Sequence, residues 1–362
     1  MGGEKIRLRK GIYSIEQCKD DDELIAFVND RYRESRQVCE DTVHKEIAYC
    51  RSIVNTQSGK DYYGDGEDDE TYDEVGLRDT RRFRSAACNQ KNKQAARKQT
   101  RQRPSIYFRI KEITDPVMME KLQAFGGPAG YVKALQNIYD DWWQRNCIDG
   151  LTYKMVKQQH DEGTCISNTY WDDKRRAGMG DLVWMMCRSE NFFPEPGAEI
   201  IDECDYFHYE RILDMRRAVN EYGDKALQAA SDNVGETKAQ GLYIEVKDRT
   251  DSNIDKMTIV DGYYKDDTSL YYDHTGEKIS EKQYEKIGKM LDSLEEEQGG
   301  SLDDLRPERI RLYPHGRLIT FCGTTLLEDR ANPFEFISFG KCVANDQAFS
   351  FHGEPKIGRA HV

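Results

Sequence analysis

The sequence predicts an α+β protein: a helical region interrupted by β-hairpins, followed by a smaller α+β unit. Three observations carry this. Apolar residues recur at helical spacing through much of the N-terminal half, and the period shifts toward two in several short stretches from Gly163 onward. The length of 362 residues also exceeds the ~250–300 at which a single core stops growing. The chain is therefore expected to be modular.

Composition sets the next bounds. Hydrophobic residues make up 38% and charged residues 33%, and mean hydropathy is -0.84, so much of the surface must stay wet or meet a partner. The net charge of -13 repels phosphate overall, so nucleic acid is expected to be held locally or allowed to slide. The ten cysteines form no C-x-x-C pair and fall inside apolar segments, which predicts reduced, buried thiols. No apolar run approaches the ~18 residues of a membrane span, and no signal-peptide stretch opens the chain, so no membrane partner is expected.

The elements follow in order. Residues 21–55 place Leu24, Ile25, Val28, Tyr32, Val38, Val43, Ile47 and Ile53 at mostly helical spacing behind a cluster of acids, giving one or two amphipathic helices. Residues 61–74 are acidic and glycine-bearing, a loop; residues 81–104 are basic, rich in helix formers and closed by Pro104. Residues 115–147 return to helix, with a stripe at Tyr131, Leu135, Ile138, Trp142 and Ile148. Adjacent Trp142 and Trp143 cannot both face one core, so one of them is expected against a neighbouring element or subunit.

A helix over residues 151–160 is followed by strands at 163–173 and 180–196, divided by the basic turn KRRAGM, and then by a helix over 209–231 that Gly223 breaks. From Gly241 the pattern reads strand (242–250), strand (256–266), turn, helix (279–297) and hairpin (311–329). Ser280 is the expected cap of that helix and Gly299-Gly300 its end.

Candidate sites are sparse. Walker A, G-x-S-x-G, H-E-x-x-H and Gly-rich dinucleotide signatures are absent, so the chain is not expected to be an enzyme, and no cofactor is expected. The alternative, a metal-dependent nuclease or hydrolase, would rest on scattered acids such as Asp172, Asp173 and Asp181. The acidic run lacks the residue order of a calcium loop, and Cys204 with His208 lacks a second ligand pair; solvated loop and core packing are the plainer readings. In the basic run, Lys93, Arg97 and Arg101 lie four apart, with Lys98 and Arg103 beside them. Such a stripe suits phosphate contact, or else a solvated helix paired with the acidic loop. Tyr206, Phe207 and Tyr209 belong to cores or subunit contacts more readily than to base stacking.

The segment YPHGRLITFCGTTLLEDRANPF (residues 313–334) resembles one carried by tailed-bacteriophage portal proteins, the head-tail connectors. Tyr-Pro-x-Gly-Arg starts a strand, a Gly turn follows, and Leu-x-Asp leads to Asn-Pro-aromatic. Tyr313, Pro314, Gly316, Arg317, Ile319, Gly323, Leu327, Asp329, Asn332, Pro333 and Phe334 match. Upstream, a Trp-Asp strand end, a Gly-x-Gly-Asp turn, a Pro-acid-Pro loop and a Cys-Asp-Tyr-Phe strand extend the likeness over residues 115–353. Two positions depart from it: Phe351-His352-Gly353 stands where Phe-Trp-Gly is usual, and Pro194-Glu195-Pro196 where Pro-Asp-Pro is usual.

The resemblance implies a C-terminally truncated, elongated, multi-lobed subunit of a ring at a capsid vertex, about twelve copies when the subunit is complete, a closed heterologous assembly. DNA would pass through its channel, and the terminase large subunit, a head-tail adaptor and capsid or scaffold proteins would dock on it. The chain would then divide into N-terminal helices with the acidic loop and basic helix (1–104), a wing-like α+β region (105–235), a clip-like α+β unit (236–330) and a returning segment (331–356). Tyr313, Pro314, Gly316, Arg317, Gly323, Asp329, Asn332, Pro333, Phe334 and Gly353 would be structural. In the family a helical stem follows the last of these. Here EPKIGRAHV follows, and residues 357–362 read as adapter-derived sequence. A smaller head-tail adaptor is the other assembly the same features fit.

Overall fold

The structure is a computed structural model, and it describes residues 14–18, 20–44, 47, 87–103, 106–109, 116–124, 126–232, 256–298, 305–344 and 350–353. The acidic run, the strand expected at 242–250, Gly299-Gly300 and the last nine residues lie outside these. Helices are α1 (Asp21–Cys39), α2 (Ala87–Gln99), α3 (Pro116–Gln123), α4 (Gly127–Arg145), α5 (Ile148–Glu162), α6 (Met215–Tyr222), α7 (Asp224–Asp232) and α8 (Glu281–Gln298). Strands are β1 (Thr164–Asp172), β2 (Asp181–Cys187), β3 (Phe192–Pro194), β4 (Tyr206–Asp214), β5 (Lys256–Tyr264), β6 (Ser269–Tyr272), β7 (Lys278–Ile279), β8 (Glu308–Arg311), β9 (Arg317–Cys322), β10 (Thr325–Ala331) and β11 (Phe339–Val343). All described strand pairs are antiparallel, and the class is α+β as the sequence predicts.

The chain forms two compact units, both discontinuous. The first takes residues 1–39, 191–196 and 202–337. Its centre is a five-stranded sheet in the order β10-β9-β5-β4-β3, and side-chain alternation along the strands fills a core on each face. Val260 and Phe321 turn toward α1, where they share a core with Leu24, Ile25, Phe27, Val28 and Tyr32 of the helix. The neighbouring strand residues, Ile259 and Cys322, turn the other way and pack with Ala218, Ala226 and Ala229 of α6 and α7. Each large apolar side chain so buried contributes about 1.5–3 kcal/mol.

Local sequence explains the helix on the first face. Asp20 caps α1 by accepting the Glu23 N–H at 2.8 Å, and three acids open its first turn against the helix dipole. Tyr32 then stands edge-on to Phe193 and Phe321, with ring centroids 5.6 and 5.9 Å apart. Val38, expected inward, is exposed. A second sheet of this unit, β7-β6-β8, carries α8. There Ser280 and Gln283 make a reciprocal capping box, and Tyr271 meets Tyr284 at 4.8 Å.

The second unit takes residues 40–190, 197–201 and 338–362. Helix α5 lies against α2 and β1, and the sheet order is β11-β1-β2. The expected hairpin forms with Asp172 opposite Asp181. Residues 350–353 return to this sheet, where the Gly353 N–H donates to Thr164 Oγ1 at 2.8 Å.

Several boundaries differ from the sequence reading. Residues 115–147 make two helices because Gly126 and Gly127 adopt φ of 82° and 83°, and Ile138 of the expected stripe is exposed. The strand expected at 180–196 splits at Ser189–Asn191, and β3 joins the other sheet. Residues 209–214, expected as helix, continue β4, since nine-residue pairing with β5 outweighs their helical spacing. Gly223 does break the helix that follows. Segment 236–330 is shared between two sheets, because β5, β9 and β10 belong to the sheet that holds β4. Cys147 and Cys342 are exposed, whereas Cys39, Cys165, Cys187, Cys204 and Cys322 are buried as expected.

Candidate functional site

The motif segment closes on itself around Arg317. Gly316 takes φ 94° and donates its N–H to the Tyr313 carbonyl at 3.1 Å, a tight turn after Pro314. No other residue fits there: a Cβ on Gly316 would lie 2.6 Å from the Tyr263 ring. The turn aims Arg317 at two carboxylates. Its guanidinium donates to both oxygens of Asp329 at 2.8 and 2.7 Å and to Asp266 at 3.0 Å, while its cationic carbon lies 4.7 Å from the Tyr313 ring centroid.

Burial works against the charge on Arg317, and the hydrogen bonds to Asp329 and Asp266 outweigh it, so the guanidinium holds its proton above the ordinary arginine range. Asn332 locks the far side. Its amide donates to the carbonyls of His315 at 3.0 Å and Phe336 at 3.2 Å, and its backbone N–H donates to the Gly316 carbonyl at 2.8 Å. Phe334 stacks on Phe336 at 5.5 Å. Gly323, with φ 57°, turns β9 into β10, and its carbonyl accepts the Asn29 amide of α1 at 2.7 Å. Tyr313, Gly316, Arg317, Asp329 and Asn332 thus meet in one place. Gly353 lies in the other unit.

The cationic helix is present over α2. Its buried side carries Asn92, which donates to Asp161 of α5 at 2.6 Å, Ala96, fully buried, and Gln99, 2.8 Å from His160. At about 100° per residue, Lys93, Arg97 and Lys98 fall away from that side, and all three are exposed, as is Arg101 just past the helix. None of the four has a carboxylate partner among the described residues. Arg103 is different. It pairs with Asp140 at 2.7 Å and covers Trp143 at 4.7 Å, so its charge is engaged inside the unit.

Of the three carboxylates of the enzyme alternative, two are held in ion pairs and Asp173 is exposed. Asp181 accepts from Arg145 at 3.0 Å and Asp172 from Arg175 at 3.3 Å. Among the described residues no group of three His, Cys, Asp or Glu is placed to hold a metal ion. Cys204 and His208 are core residues; His208 lies 2.7 Å from the Tyr264 hydroxyl, and burial pushes its pKa down to about 3. Tyr206, Phe207 and Tyr209 are buried in the same unit. The tryptophan pair is satisfied within the chain: Trp142 donates to the Leu182 carbonyl at 2.7 Å and Trp143 to Asp149 at 2.9 Å.

Two polar partners escape the sequence reading. Asp266, whose side chain is 0% exposed, completes the Arg317 cluster, and Arg211 forms a second one with Asp261 and the Tyr222 hydroxyl. Neither has a sequence signal beyond its position on or beside a strand. Comparison with known protein-family models and with curated proteins returns no match. Among the described residues no helix is long and apolar enough to cross a membrane.

Proposed function

We propose that this chain is a subunit of a portal-type ring at a capsid vertex, through which duplex DNA is packaged and ejected. One observation carries the reading: residues of the portal-like segment as distant as Tyr313 and Asn332 belong to a single turn-and-ion-pair cluster. Five of the matched positions, Tyr313, Gly316, Arg317, Asp329 and Asn332, therefore behave as one structural unit, as a family scaffold requires. The polar groups of the cluster find their partners within the chain, and in this reading the cluster serves assembly.

In this reading Lys93, Arg97, Lys98 and Arg101 contact phosphates of passing DNA, a contact weakened by salt, and Arg103 positions the helix that bears them. The net charge of -13 keeps the rest of the surface from gripping the polyanion. Terminase, a head-tail adaptor and capsid or scaffold proteins are the proposed partners, and the virion is the proposed location. Electron microscopy of the protein expressed from the completed reading frame tests the assembly. Rings with a central hole are expected; monodisperse single subunits under every condition would overturn the proposal. Incubation with plasmid DNA and magnesium should leave the plasmid intact.

A further inference from the structure

We propose that the tip of the β1–β2 hairpin is a contact for nucleic acid, with Trp171 a stacking face for an unpaired base and Lys174 and Arg176 cations for the flanking phosphates. This goes beyond the ring reading and does not depend on it.

The tip is built to present these groups. Arg176 and Ala177 take φ of 54° and 56°, and Gly178 and Gly180 take 90° and 78°, so the chain adopts left-handed backbone at residues other than glycine, which costs about 1 kcal/mol or more each. Two hydrogen bonds hold this shape, from the Gly178 and Gly180 N–H groups to the Arg175 carbonyl at 3.2 and 3.0 Å. Arg175 braces the turn by donating to Asp172 at 3.3 Å and Asn146 at 3.1 Å. Lys174 and Arg176 remain exposed, with no carboxylate partner among the described residues.

Three residues before Lys174 in the chain, the Trp171 indole lies against Gly180, where an added Cβ would come within 2.5 Å of its Nε1. Glycine at this position lets the ring lie close over the backbone while the residue stays 51% exposed. A half-covered indole next to cations matches the combination that single-stranded nucleic acid requires, a π-face for the base and positive charge for the backbone. An acidic peptide would use the cations and leave the indole without a role. Asp173, exposed at the same tip, opposes an anion.

The test is fluorescence anisotropy of a labelled oligothymidine with the full chain. The wild type is expected to bind, and Trp171→Ser to weaken binding about tenfold while Trp171→Phe retains most of it. Lys174→Gln with Arg176→Gly should lower the slope of log affinity against log salt by about 1.4, at ~0.7 per lost phosphate contact. Asp173→Asn should tighten binding. No binding up to about 100 µM, the weak end of non-specific affinity, would overturn the proposal. So would tip variants that bind the single strand like the wild type, or equal competition by polyglutamate.

Discussion

Arg317 and Arg176 stand at the opposite limits of what an arginine in a glycine-bearing turn can do. Each turn sets a positive-φ glycine against an aromatic ring, Gly316 on Tyr263 and Gly180 on Trp171, and in each a Cβ would collide at 2.6 or 2.5 Å. At the first, the ring is buried and the guanidinium is shared by Asp266 and Asp329. At the second, the ring is half-exposed and the cations face solvent. The same local device therefore serves structure where its polar groups find partners within the chain, and is free for recognition where they do not.

The largest effect should come from Arg317→Ala. It leaves the fully buried Asp266 carboxylate without its cation and should cost about 3–5 kcal/mol, read by urea denaturation. Arg317→Lys should recover only part of this, because an ammonium cannot make the forked contact to Asp329. Next, Gly316→Ala should cost about 2–4 kcal/mol through strain and the Tyr263 collision, whereas Gly180→Ala should cost less, about 1–2 kcal/mol, because the half-exposed Trp171 ring can swing away while the positive-φ strain stays. Equal losses at the two glycines would break the comparison.

Acid provides a third lever. His208 and His352 are buried and their pKa values pushed down to about 3, so below the unfolded value near 6.5 the unfolded chain binds protons that the folded chain refuses. The stabilisation is full above that value and is lost as pH falls toward 3, by up to about 1.4 kcal/mol per pH unit for each histidine. His208→Gln should flatten the pH dependence of unfolding between about pH 6.5 and 4. The smallest effect belongs to the exposed cation: Arg176→Gly should leave stability unchanged or raise it by up to about 1 kcal/mol, since glycine accepts the left-handed backbone. A clear loss would mean that Arg176 is structural.

What is legible in the sequence divides along the same line. Period-two alternation finds β1, β2, β5 and β9, and the Tyr-Pro-x-Gly-Arg turn is readable because proline and glycine punctuate the chain locally. Gly223 is readable for the same reason, and Ser280 and the cationic side of α2 because caps and charge runs are also local signals. Asp266 and Arg211 are not, because an ion pair between segments distant in sequence leaves no periodic mark. Residues 209–214 read as helix because Ile212 and Leu213 fit one in isolation, and only pairing with β5 decides for strand. Arg103 looks like its neighbours in the basic run; its difference lies in Asp140 and Trp143, some forty residues along the chain.

The central claim is that copies of this chain close into a ring. Sedimentation velocity of the protein expressed from the completed reading frame, across a wide concentration range, measures this most directly. The account predicts one discrete large species of about twelve protomers, the signature of a closed heterologous assembly. A single protomer at every concentration, or open-ended growth without a preferred size, would contradict it.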